Sequence, residues 1–167
     1  MKLFAHPETV PATVAGIDST VWKDGDQWRF RFLVEGAEGL VVPAQHPPAR
    51  ADELWRHTCF EAFVSLEGEA YLEFNFSPSS QWAAYRFDRY RGQTAREAAE
   101  VEIRVEAGDG WLALEAAVEC AALDAGLPFG LSAVIEEQGG TSYWALGHAA
   151  GRPDFHDRTC FLARLPE

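Results

Sequence analysis

Apolar positions recur with a period of two along most of the chain, which is the signature of half-buried strands. Trp28, Phe30, Phe32 and Val34 alternate with Arg29, Arg31, Leu33 and Glu35. The same alternation appears in Phe60–Leu66, Leu72–Phe76, Val101–Val105, Leu112–Val118 and Phe129–Ile135, followed by a short run at Ser142–Leu146. Turn signals separate the runs: Lys23-Asp24-Gly25-Asp26, Glu67-Gly68-Glu69, Gly108-Asp109-Gly110 and Gly139-Gly140. Helical patterns are short, over residues 95–100 and 121–125, the second ended by Gly126. Many short strands joined by hairpins predict an all-β fold: an antiparallel immunoglobulin-like or jelly-roll β-sandwich with one or two short helices. The 167 residues form one domain by length, with no repeat or linker; Pro43–Arg50 is expected to be a long loop inside it.

The stretch 60–88 allows a register argument. Residues paired across antiparallel strands lie on one face of the sheet. A five-residue loop after Leu66 sets Leu66 opposite Leu72 and Val64 opposite Phe74. In the next strand Ala83, Tyr85 and Phe87 form the apolar set, so a loop over Pro78–Gln81 sets Phe74 opposite Tyr85 and Glu73 opposite Arg86. The face away from the core then gathers Glu61, Phe63, Glu73, Asn75, Trp82 and Arg86. Two readings of that face stand side by side. One is a solvated surface with a Glu73–Arg86 ion pair worth roughly 0.2–1 kcal/mol. The other is a ligand groove in which a tryptophan platform meets converging carboxylate, amide and guanidinium groups, a set suited to a sugar. Arg86 is expected to hold Glu73 ionised, which argues against a Glu61/Glu73 pair working as glycosidase acid and base.

Charge narrows the partners. With 14 basic and 26 acidic residues the net charge is −12, the wrong sign for nucleic acid or an anionic membrane surface. Residues 97–167 hold 13 acids and 4 bases, while residues 1–96 hold 13 acids and 10 bases, Arg86, Arg89, Arg91 and Arg96 among them. No apolar run is long enough to span a bilayer, and His6, Pro7 and Glu8 interrupt the apolar start that an export signal needs, so a cytoplasmic protein is expected. Cys59, Cys120 and Cys160 are an odd, scattered set flanked by apolar residues, expected to be buried, inert thiols. No phosphate loop, nucleophile elbow or H-E-x-x-H motif occurs. No cofactor is required by any motif. His57, His148 and His156 are the candidates for haem or metal ligation, and Met1 is the only methionine.

Three blocks, Leu54–Phe63, Tyr71–Pro78 and Trp82–Phe87, resemble the uncharacterised bacterial DOMON-like proteins. So do Tyr143–Leu146, His148 and Pro153–His156. The wider group, with the family-9 carbohydrate-binding modules, implies an immunoglobulin-like sandwich that binds sugar or haem. By residue type the resemblance assigns Trp55 and Trp82 to gripping a sugar and Glu73, Asn75 and Arg86 to its hydroxyls; haem-binding relatives use an axial Met, His or Lys. The expectation is a non-catalytic module for a small carbohydrate or sugar derivative. The alternatives are a haem-binding redox module, a sugar-acting enzyme using Glu61 or Glu73, and a protein-interaction module. Nothing in the sequence speaks to oligomeric state.

Overall fold

The computed structural model describes residues 1–167. Thirteen strands run in chain order: β1 Lys2–Ala5, β2 Gly16–Asp24, β3 Gln27–Glu35, β4 Ala49–Arg50, β5 Cys59–Ser65, β6 Tyr71–Phe76, β7 Gln81–Phe87, β8 Thr94–Arg96, β9 Glu100–Gly108, β10 Trp111–Glu119, β11 Pro128–Glu137, β12 Gly140–Ala145 and β13 Ala163–Arg164. They pair in the order β4-β7-β6-β5-β11-β12-β1-β2-β3-β10-β9, with β8 beside β7 and β13 beside β11. The sheet curls on itself. Strand β1 is the corner: Leu3 pairs with Ile17 of β2, whereas Phe4 and Ala5 pair with Ala145 and Trp144 of β12.

The curl brings the two halves face to face over one core of 27 buried residues. Phe32 of β3 meets Phe60 of β5 with ring centroids 4.9 Å apart, and Phe30 meets Phe76 at 5.7 Å. The alternating sets over residues 28–34, 112–118 and 129–135 all point into this core. Each fully buried Phe or Leu removes enough apolar surface from water to contribute roughly 1.5–3 kcal/mol.

The two expected helices do not form. Residues 94–96 are strand β8, hydrogen-bonded to β7, and residues 121–125 are turn and irregular chain. The helical pieces are three single 3₁₀ turns, Ala37–Gly39, Leu54–Arg56 and Arg158–Cys160. Strand β2 also escapes the alternation argument, because Ser19 stands between Ile17 and Val21 on its buried side.

The central hairpins take a different register from the one expected. Leu66 N–H donates to the Ala70 carbonyl, closing a three-residue loop with Gly68 in the left-handed region at φ 67°. Val64 therefore faces Leu72, and Ala62 faces Phe74. This slip of two residues keeps every side chain on its expected face. At the next turn Ser77 and Gln81 are joined by a backbone hydrogen bond around Pro78-Ser79-Ser80, with Ser80 at φ 75°. That is one residue shorter than the expected loop, and a shift of one exchanges the faces. Phe76 pairs with Trp82, Phe74 with Ala84 and Glu73 with Tyr85. Trp82 and Ala84 thus enter the core, while Ala83, Tyr85 and Phe87 join Glu73 and Asn75 on the outer face.

The outer face of β5, β6 and β7 is itself covered. The chain from Gly147 to Leu162 crosses it and forms a second small core of Phe63, Tyr71, Phe87, Cys160 and Phe161. Gly130 on β11 permits the close crossing: a Cβ there would lie 2.9 Å from the Cys160 carbonyl oxygen. Cys59 and Cys160 are buried, Cys120 is half-buried and all three are free thiols. Burial pushes each thiol above its usual range, which disfavours the reactive thiolate.

Candidate functional site

The covering is incomplete. Between the outer face, the turn at residues 52–55, the β7–β8 turn and the segment 153–156 lies a cavity of 670 Å³. Its rim and walls include Trp55, Tyr85, Phe87, Tyr143 and Phe155, and Glu61 and Glu73 form the polar floor. Trp55 sits on the 3₁₀ turn with half its surface exposed, and Arg56 rests over its ring at 5.4 Å.

Both floor carboxyls are buried, Glu61 at 3% exposure and Glu73 at 6%. The register places them one step apart on adjacent strands: Glu61 opposite Asn75, Glu73 opposite Phe63. The Ser132 hydroxyl donates to Glu61 Oε2 at 3.0 Å, and Asn75 Nδ2 donates to Glu73 Oε1 at 2.7 Å. Burial raises the pKa of both, and repulsion from Glu73 adds to the shift of Glu61, which reaches about 8. Glu61 is therefore protonated at neutral pH, and the site holds an acid beside a second carboxyl.

His156 closes one side. Arg91 N–H donates to the Tyr71 hydroxyl oxygen at 3.3 Å, and the hydroxyl lies 2.7 Å from His156 Nδ1. The other ring nitrogen, Nε2, lies 3.8 Å from Glu73 Oε2. Burial, with the Arg91 charge, depresses the His156 pKa to about 4, so the ring is neutral. Asp154 ties this segment to the β7–β8 turn: it accepts from Arg91 Nη2 at 2.9 Å, from the Tyr90 hydroxyl and from His156 N–H at 3.1 Å. On the opposite rim the Tyr85 hydroxyl donates to Asp52 at 2.6 Å, and Arg96 reaches Asp52 at 2.9 Å. The Tyr85 and Arg96 hydrogen bonds lower the Asp52 pKa.

Of the residues singled out from the sequence, Trp55, Glu61 and Glu73 line this cavity, and Asn75 braces Glu73 on the same face. Trp82 and Arg86 lie on the other face. Trp82 is in the core, with the Arg50 guanidinium 4.4 Å from its ring. Arg86 pairs with Glu97 at 2.6 Å rather than with Glu73, so the expected ion pair is absent and burial shifts the Glu73 pKa up, where pairing with Arg86 would have lowered it. The three histidines are not brought together. His57 pairs with Glu136 at 3.0 Å, His148 Nε2 lies 2.8 Å from the Phe4 carbonyl, and only His156 reaches the cavity. Tyr85 and Phe87 were assigned to the core by their parity; Arg91 and Asp52 carried no motif. The one usable signal was that β7 is apolar at both parities, which marks a strand covered on both faces.

No family model and no curated protein matches this chain. A solved structure is similar to it. That chain is described as a "putative carbohydrate-binding protein" from Bacteroides uniformis; the likeness has a TM-score of 0.59 at 15% identity and covers 87% of this chain and 75% of that one. At that identity the likeness concerns the fold.

Proposed function

We propose that residues 1–167 form a single non-catalytic module that binds a small carbohydrate-like ligand in the cavity floored by Glu61 and Glu73. The observation that carries this reading is the joining of two surfaces in one concavity: aromatic rings from Trp55, Tyr85, Phe87, Tyr143 and Phe155, and buried carboxyls braced by Ser132 and Asn75. A sugar offers an apolar ring face for the first and hydroxyl donors for the second. The volume lies within the range of small-molecule sites. The similar structure, described in carbohydrate-binding terms, supports the same class of ligand. Two sheet halves over a common core support a sandwich scaffold of the immunoglobulin-like or jelly-roll kind, the scaffold implied by the DOMON-like and family-9 resemblance. Free thiols support a reducing, cytoplasmic setting, and a charge of −12 supports a small ligand over nucleic acid or an anionic membrane.

Two buried carboxyls in one cavity also favour a second reading, a sugar-acting enzyme. A thermal-shift and calorimetric screen of mono- and disaccharides separates the two. A binder shows a ligand-dependent rise in stability, about 2.7 kcal/mol at 100 times Kd, with the sugar recovered unchanged. Chemical conversion of the sugar establishes the enzyme. Sugar binding that survives both Trp55→Ala and Tyr85→Ala refutes this location.

A further inference from the structure

The charges around the cavity do not balance. Asp52 is partnered by Arg96 and the Tyr85 hydroxyl, Glu53 by Arg56 at 2.7 Å, and Asp154 by Arg91. These are the pairs of the rim. The floor has no cation. Glu61 Oε1 has no hydrogen-bond partner in the protein, although Glu61 is buried and lines the cavity. Glu73 Oε2 has only His156 Nε2 near it, at 3.8 Å, beyond hydrogen-bonding distance. The two lone oxygens belong to groups one strand apart on one face. Above them stand aromatic rings, whose π faces attract a positive charge. The basic side chain on the lining, Arg91, is hydrogen-bonded to Asp154, and its charge, which favours the Glu73 carboxylate, is outweighed there by burial.

We propose that the cavity is built for a ligand carrying a protonated amine, within the carbohydrate class an amino sugar, whose ammonium group donates to Glu61 and Glu73 beneath the aromatic wall. This rests on the carbohydrate reading for the sugar ring and on the unpaired floor for the amine. A neutral hydroxyl gains one ordinary hydrogen bond there. An ammonium gains charge-assisted bonds to two carboxyls in a site from which most water is excluded.

The proposal carries a proton signature. The groups around Glu61 are Glu73 and Asn75 from β6, Ser132 from β11, the Cys59 thiol from its own strand and, on the walls of the same cavity, Tyr85, Tyr143, His156 and Arg91, the last bonded to Asp154. Glu61 has its half-point close to neutrality. An arriving ammonium favours the Glu61 carboxylate and expels its proton to the solvent. A neutral sugar leaves the proton in place.

Calorimetry on the whole chain at neutral pH, in two buffers of different ionisation enthalpy, tests this with D-glucosamine, D-glucose and cyclohexylamine. D-Glucosamine is expected to bind about tenfold or more tightly than D-glucose, with proton release that D-glucose lacks. Glu61→Gln should abolish the release, and Glu73→Gln should remove most of the preference. The wild-type comparison of amine against neutral sugar holds whatever the variants do to the fold. D-Glucose binding as tightly as D-glucosamine overturns the amine inference and leaves the carbohydrate reading standing. Cyclohexylamine binding as tightly as D-glucosamine supports the amine site and overturns the carbohydrate reading. Absence of binding by all three overturns both.

Discussion

Glu61→Gln is expected to stabilise the protein at neutral and alkaline pH and to change little in acid. The carboxyl has a pKa near 4.5 in the unfolded chain and about 8 in the fold. Between those values the folded state holds a proton that the unfolded state has released, so stability falls as pH rises, by at most about 1.4 kcal/mol per pH unit. The protonated form's stability is fully present below the unfolded value and is lost once pH has passed the folded one. Integrated from pH 5 to pH 8, the wild-type protein should lose roughly 3 kcal/mol through this one side chain. Glutamine has the size of the neutral acid and can still accept from Ser132, but it does not titrate. The difference between the two proteins cancels His156 and the other shared groups and isolates Glu61 with its repulsion from Glu73. Urea unfolding at pH 5, 6, 7 and 8 measures it. The variant's advantage should widen across the series to roughly 3 kcal/mol, or about 6–12 °C in Tm for a domain of this size. A difference that stays flat from pH 5 to pH 8 would refute the argument, since it would mean that Glu61 ionises in the fold as it does in water.

Other side chains give independent tests. Glu137 is buried and accepts from the Ala12, Thr13 and Val14 N–H groups and the Thr13 hydroxyl, which together hold its pKa below the usual value. Glu137→Gln should cost about 2–3 kcal/mol at pH 7, and because a depressed carboxylate stabilises only while ionised, the deficit should shrink as pH falls below the unfolded value; chemical denaturation at pH 7 and pH 3.5 checks both. Trp55→Ala should weaken sugar binding by about tenfold while leaving the melting curve nearly unchanged, because Trp55 is 49% exposed and outside the core. Trp82→Ala should do the opposite, removing a core side chain stacked under Arg50 and destabilising the fold by roughly 3–5 kcal/mol in a urea titration.

Where one face of a strand is buried and the other is wet, alternation in the sequence determines the structure. Trp28–Val34 and Leu112–Val118 each present one apolar parity, and the fold places each set inward. The antiparallel class and the candidacy of Glu61, Glu73 and Asn75 follow from such local facts, whereas Trp55 became a candidate through the family resemblance. Alternation ceases to decide once a strand is covered on both sides. In β7, residues 82–85 read Trp-Ala-Ala-Tyr, so either parity could face the core. The choice fell to a three-residue turn closed by Ser77 and Gln81 and to a covering segment more than 60 residues away. That single step sent Trp82 and Arg86 to one face and Tyr85 and Phe87 to the other. The cavity itself depends on the covering segment, because Tyr71 meets His156 only after the chain has crossed β5 and β6. A pKa near 8 for Glu61 is likewise a property of the assembled site: burial and a like charge on the neighbouring strand raise it, and neither exists until both strands and their cover are in place.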